Sequence, residues 1–169
     1  MRSATIKVAL RNYVEHAERV DVLGFREKVR SVVRALGVLD EARTPCGLEL
    51  SVREAFALDA IRAAEVRGAP LSQSDLQTFL GIDKSNVTRL VQQLVADDRV
   101  EQRAVETDGR VRRLHLTAKG RRVARAVDER SLRRFAEVMA RIPASELPMV
   151  LRGLEIFRAA LEAQGEVEP

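Results

Sequence analysis

Two short stretches hold the side chains that can do chemistry. In KSNVTRLVQQ, residues 84–93, polar Lys84, Ser85, Asn86, Thr88, Arg89 and Gln92 interleave with apolar Val87, Leu90 and Val91. At roughly 100° per residue the apolar stripe centres between Val87 and Val91; Ser85, Arg89, Gln92 and Ala96 lie opposite, with Asn86, Thr88 and Gln93 at the margins. Arginine can donate two hydrogen bonds to one guanine edge, and glutamine or asparagine can pair twice with adenine. Lys84 and Ser85 stand in the first turn, beside N–H groups that favour a phosphate. No acid interrupts this face before Asp97, whereas a merely solvated helix mixes signs. The second stretch, TDGRVRRLHLTAKG (107–120), sets Arg110, Arg112 and Arg113 within four residues. Asp-Gly is a strong hairpin signal, so Asp108 and Gly109 are expected to form the turn, with Arg110 at its tip. An arginine carried on a β-tip can enter a narrow minor groove, where the potential is most negative. Asp108 is a turn former and also a candidate ion-pair partner that steers Arg110. Arg112 and Arg113 must point to opposite faces of the strand. One can meet a nucleic-acid backbone while the other meets the protein body or solvent. Leu114 and Leu116 are expected to anchor the strand. Each stretch also has a plainer reading, as the polar outside of an amphipathic helix or as a solvated basic loop.

The distribution of charge favours the first readings. From Lys84 to Arg122 there are ten basic and five acidic residues, an excess of +5, which leaves −1 for the remainder of a chain whose net charge is +4. A positive excess confined to one segment is the footprint of a phosphate-binding surface. The chain has 169 residues, of which 46% are hydrophobic and 32% charged, so a folded domain with its own core is expected rather than a disordered chain. No apolar run is long enough to span a membrane. Charges break the first twenty residues, which lack the features of a secretory signal. Cys46 is the only cysteine, and no Cys/His cluster has metal-ligand spacing. A cytoplasmic protein with no metal, no cofactor and no membrane partner is expected. No nucleophile-base constellation or phosphate-cradling glycine loop is present, so an enzyme is not expected.

These stretches need elements to position them. Apolar residues at helical spacing from about Thr5 to Leu39, including Ile6, Tyr13, Val20 and Leu36, predict one long helix with a possible kink near Gly24. A loop with Pro45 and Gly47 follows. Ser51 and Glu54 have capping-box spacing and open a second helix that Gly68 stops. Ser72 and Asp75 repeat that spacing before a short helix with Leu76, Phe79 and Leu80, ended by Gly81. Asp83 caps the next helix, and two short helices so joined have the spacing of a helix-turn-helix. The flanks VEQRAVE and VRRLHLT are β-rich. Thr117 caps a long helix to about Arg141, Pro143 interrupts, and Ser145 opens a last helix with Leu147, Val150, Leu151, Leu154, Phe157 and Leu161 on one face. A hairpin directly after a recognition helix is a wing. The expected fold is mainly α with a small β-hairpin wing: a winged helix-turn-helix core flanked by long helices.

Residues Leu71 to Gly120 resemble the winged helix-turn-helix of MarR-family transcriptional regulators. DKSNVTRLVQQL resembles the family's recognition helix, and Asp108-Gly109-Arg110 followed by LHLTAKG resembles its D-x-R wing tip and the L-T-x-x-G that starts the next helix. The flanking helices extend the resemblance over nearly the whole chain. It implies a single domain, 1–169, with a DNA-binding core at 48–120 and dimerisation helices at 1–40 and 121–164. It implies a homodimer on double-stranded DNA, acting as a repressor on a near-palindromic operator, with helix 83–97 in the major groove and wing 100–117 in the minor groove. Lys84, Ser85, Asn86, Thr88, Arg89, Gln92, Asp108, Arg110 and Arg112 are then the DNA-binding residues. A small-molecule effector is the family's common input, but 4% aromatic content leaves few stacking partners for a flat ligand. The chain departs from the family where Asp98 takes a position that wants positive φ, and where Asp97 and Asp98 face the negative end of a helix. Two other readings compete: an interaction module that keeps the winged helix without DNA specificity, and a redox-sensing regulator built on Cys46. His16 and His115 are expected at a surface or interface.

Overall fold

The computed structural model describes residues 22–40, 43–105 and 108–165, with the backbone alone at 105, 108–111, 164 and 165. Two units are distinguished, one ending at Glu54 and one starting at Ala55. In the first, helix α1 (Val22–Leu36) runs through Gly24. It stops three residues before the expected Leu39. Gly37 takes the left-handed conformation (φ 71°), and its N–H closes the last turn on Arg34 O at 3.0 Å. Ile6 to Val20, with Tyr13 and His16, lie outside the described residues. No described residue of α1 is buried, and Val22, Phe25 and Val32 are exposed. The loop that follows folds around buried Thr44, whose hydroxyl accepts from Leu48 N–H at 3.0 Å. Ser51 and Glu54 then cap each other's backbone N–H groups at 3.2 and 2.7 Å, as their spacing predicts.

Those caps start α2 (Val52–Val66), which leads into the second unit. Leu58, Ile61 and Ala64 of α2 are wholly buried, and Gly68 (φ 69°) ends the run. Helix α3 (Gln73–Leu80) opens on the Ser72/Asp75 capping box and closes on Gly81 at φ 61°. Helix α4 (Lys84–Ala96) begins on Asp83, whose side chain accepts from Asn86 N–H. Strands β1 (Val100–Val105) and β2 (Asp108–Leu116) form an antiparallel hairpin. Helix α5 (Ala118–Met139) is capped by Thr117. Helix α6 (Leu147–Gly165) starts two residues after Ser145, which lies in a turn closed by Glu146 N–H on Pro143 O. Leu76, Val87, Val91, Leu94, Val100, Leu114 and Leu116 fill the core between α3, α4 and the hairpin base. The mainly α fold with a two-stranded wing is the one expected.

The hairpin differs in one respect. Every regular pair, from Val100 with Leu116 to Ala104 with Arg112, is symmetric about position 108. A two-residue turn at Asp108-Gly109 would need Val100 to pair with Thr117, taking it out of line with buried Leu116. Asp108 instead pairs with Val105, so the strands are joined through residues 106–107, which lie outside the described residues. Gly109, Arg110 and Val111 sit opposite the irregular step between Ala104 and Val105, as a bulge on the returning strand.

The exit of α4 is held from α5. Asp98 adopts φ 55°, the left-handed position its place in the sequence predicts. Lys119 Nζ donates to Asp97 O at 2.7 Å, Thr117 Oγ1 to Asp98 O at 2.6 Å, and Thr117 N–H to Arg99 O at 3.1 Å. A cation on the last carbonyls offsets the acids at that helix end. The close approach needs a glycine: a Cβ on Gly120 would lie 1.8 Å from Arg99 O. Gly120→Ala should therefore destabilise the fold by about 2–3 kcal/mol and lower Tm by roughly 4–12 °C. Thermal unfolding checks this, and an unchanged Tm would contradict the packing.

Candidate nucleic-acid interface

Helix α4 presents two different faces. Val87, Val91 and Leu94 are buried behind it, while Lys84, Ser85, Arg89, Gln92, Gln93 and Ala96 are exposed in front. The polar residues that the sequence set side by side are not equivalent. Ser85 Oγ donates to Asp83 Oδ1 at 2.6 Å, and the Asn86 side-chain amide donates to Asp83 Oδ2. These bonds, led by the Ser85 hydroxyl and the Asn86 backbone N–H, hold the Asp83 carboxyl down at about 2. The cap therefore stays charged down to strongly acidic pH and is lost only as pH falls through that value. Thr88 Oγ1 donates to Lys84 O at 2.7 Å and accepts from Gln73 Nε2 at 2.7 Å. Gln93 Nε2 donates to Asp97 Oδ1 at 3.0 Å. Arg89 and Gln92 make no side-chain hydrogen bond among the described residues. Their donors face outward, uncommitted, in the middle of the polar face.

The wing is tied down at its base. Leu114 N–H donates to Leu71 O at 2.8 Å, and Arg113 bridges to Ser72 through the backbone. Arg113 Nη1 donates to Pro70 O at 3.2 Å and to Asp75 Oδ2 at 3.0 Å. Asp75 is held below the usual carboxylate range, mainly by the Ser72 N–H and hydroxyl and then by the Arg113 charge. Arg113 is thus the arginine that meets the protein body. Exposed Arg112 takes the other face, where Ser72, Gln73, Ser74, Gln102 and Arg112 line an open cleft of about 360 Å³. The side chains of Asp108 and Arg110 lie outside the described part of the structure; the backbone places both on β2, in and beside the bulge beyond Arg112.

Residues that the sequence did not single out support this surface. Glu65, at the end of α2, accepts from Leu116 N–H at 3.1 Å and His115 Nδ1 at 3.2 Å, with Arg121 at 3.7 Å. His115 therefore belongs to a support under the wing. No local signal marks Glu65, because its partners lie fifty or more residues away. Gln73 likewise reaches across fifteen residues to Thr88. Cys46 is half-buried with Sγ 3.1 Å from the Thr44 hydroxyl, and neighbouring Arg43 pairs with Glu49 at 3.8 Å.

A MarR family model matches residues 47–111. YdgJ of Bacillus subtilis (strain 168), an uncharacterized HTH-type transcriptional regulator, is 31% identical over 131 residues, 78% of this chain and 75% of YdgJ. FabT of Streptococcus pneumoniae, crystallised in complex with DNA, superposes with a TM-score of 0.72 at 23% identity, over 85% of this chain and 99% of FabT. The PcaV transcriptional regulator of Streptomyces coelicolor superposes with a TM-score of 0.62 at 25% identity, over 82% of this chain and 96% of PcaV. PcaV has also been solved with its natural ligand. YdgJ and PcaV are both described as transcriptional regulators. With a 31% identical regulator spanning 78% of its length, and the helix-turn-helix and wing in the order described, the chain belongs to the MarR family of winged-helix transcriptional regulators.

Proposed function

We propose that the protein is a homodimeric repressor that binds a near-palindromic operator, with α4 in the major groove and the wing in the minor groove. The observation that carries the reading is the pair Arg89 and Gln92, exposed and uncommitted on a helix whose opposite face buries Val87, Val91 and Leu94. Arg89 would bond a guanine edge and Gln92 an adenine edge, while Lys84 and Arg112 meet phosphates. The structure of FabT, crystallised in complex with DNA, supports the use of this fold in that way. Arg110, on the bulge beyond the wing's regular pairs, would enter the minor groove outside each half-site, with Asp108 beside it. A small-molecule effector would release the DNA, a reading supported by PcaV and its natural ligand.

Dimerisation is supported by apolar surface that the described chain leaves bare. On α1, Val22 and Val32 are exposed; on α6, Leu151, Leu154 and Leu161 are, and no described residue of α6 is buried. Exposed apolar side chains repeated along a helix mark an interaction surface. Sedimentation at micromolar concentration should give a dimer, and a chain lacking residues 1–20 should dimerise more weakly. A stable monomer, or undiminished dimerisation after the truncation, would refute it.

Selection of bound genomic fragments tests the DNA reading directly. Two recognition helices about one helical turn apart, roughly 34–36 Å, should select inverted half-sites. Arg89→Ala should cost about 1–3 kcal/mol on the selected site and relax the preference at one base pair. Equal loss on random DNA would make Arg89 a phosphate contact instead. Arg110→Ala should weaken binding and reduce the preference for A·T-rich flanks while leaving the inner bases unchanged. If selection with Arg110→Ala changes the inner half-site, the wing does not probe the minor groove.

A further inference from the structure

We propose that Gln73 is a specificity-determining positioning residue: through the Thr88 hydroxyl it sets the angle at which α4 presents Arg89 and Gln92. The proposal rests on the DNA reading of α4 and goes beyond it, because Gln73 itself need touch no base.

The chemistry of the Thr88 hydroxyl comes first. Its single proton is committed to Lys84 O at 2.7 Å. Towards Gln73 it can only accept, so the Gln73 amide must present its NH₂ edge, at 2.7 Å. Thr88 therefore has no proton left for a base or a phosphate, although it borders the polar face. Its hydroxyl works inward, joining the first turn of α4 to the first residue of α3.

The geometry explains what that bond controls. Helices α3 and α4 meet at the short turn Gly81–Asp83. Behind them the contact is apolar, through Leu76, Val87 and Val91. Apolar packing is non-directional and tolerates small rotations that a hydrogen bond does not. Gln73 lies at the end of α3 remote from the turn, and Thr88 one turn into α4. Their bond spans the mouth of the angle between the helices and closes it from the open side. Gln92 lies nine residues beyond Asp83 at the turn, about 13 Å along the axis, so a rotation of about 5° about the turn moves it by about 1 Å. Paired hydrogen bonds to a base edge do not survive a displacement of that size, whereas phosphate contacts made by flexible lysine and arginine side chains do. Loss of the Gln73–Thr88 bond should therefore lower affinity for the operator and leave affinity for random DNA intact.

The test is a double-mutant cycle read on two DNAs. The variants are Gln73→Met and Thr88→Val, close in shape but without the bond, singly and together. Binding is measured to the operator selected by the wild-type protein and to random duplex, each across a salt series. Gln73→Met and Thr88→Val should each lower operator affinity about tenfold, and the double variant should lose no more than either single one. Random-duplex affinity and the salt slope should stay at wild-type values. Thr88→Ser, which keeps the hydroxyl, should bind like wild type. Gln73→Asn, which keeps an amide but cannot span the gap, should behave like Gln73→Met. Thermal unfolding of each variant confirms that the fold is retained. Equal losses on both DNAs, with a shallower salt slope, would make Gln73 a phosphate contact and overturn the proposal. Additive losses, with Thr88→Val changing the preference at one base pair, would make Thr88 a base reader and overturn it too. So would unchanged operator binding by Gln73→Met. A wild-type protein that selects no sequence would sink the DNA reading itself, an outcome distinct from all of these.

Discussion

Three consecutive carbonyls at the exit of the recognition helix are all taken by the first turn of α5. Asp97 O accepts from Lys119, and Asp98 O and Arg99 O accept from the hydroxyl and the N–H of Thr117. Helix α4 closes its own last turns, with Asp97 N–H on Gln93 O, Arg99 N–H on Leu94 O and Asp98 N–H on Val95 O, which leaves these three carbonyls, at and beyond the cap, to take partners from outside. The clamp supplies partners and brings the backbones so close that only a glycine fits at position 120. These three bonds tie the exit of α4 and the base of the hairpin to the start of α5. Helix α5 then runs 22 residues from this corner to a half that exposes Leu132, Phe135 and Met139. A partner bound on that half would act on a helix already fastened to the exit of α4.

The other end of α4 is fixed by a different device. Asp83 holds the first N–H groups and draws in Ser85 and Asn86, while Gln73 engages Thr88. Polar residues that look interchangeable on a helical projection thus divide into those that build the helix entry and those left uncommitted at the surface. Arg89 and Gln92, with Lys84 at the first turn, are what remains among the described residues of this face once the internal donors and acceptors are matched. Both ends of α4 are tied by neighbouring side chains, and its centre is open.

The local features were the legible ones. Four of the caps read from the sequence are present, Ser51 with Glu54, Ser72 with Asp75, Asp83 and Thr117, whereas Ser145 lies in a turn two residues short of α6. A cap involves residues three apart, so its physics lies within one short stretch. The strained Asp98 was legible for the same reason. The end of α1 was misjudged because apolar Val38 and Leu39 continue the helical pattern, while Gly37 between them and Leu36 breaks the backbone. The turn of the wing was misjudged because Asp-Gly is a local preference, whereas register is decided by which leucines the core accepts. Glu65, Gln73 and the partner of Arg113 were out of reach, since each contact joins segments distant in sequence.

Arg112 and Arg113 show how the fold sorts one charge cluster into two roles. The strand's alternation sends Arg113 to Asp75 and Pro70, and Arg112 into the open cleft. Asp75 is already held by Ser72 as part of the cap of α3, so Arg113 adds to a carboxylate fixed in place. An ion pair with one partner pre-positioned loses less side-chain freedom than two mobile surface groups do. Its consequence is mechanical more than energetic: the wing base takes its direction from α3, the helix whose other contact, through Gln73, orients α4. The wing and the recognition helix thus share one reference. Beyond Ala104 and Arg112 the regular pairs end, and a bulge carries Arg110. Arg110 therefore sits on backbone where the pairing is least constraining, on a stem whose base is tied to α3.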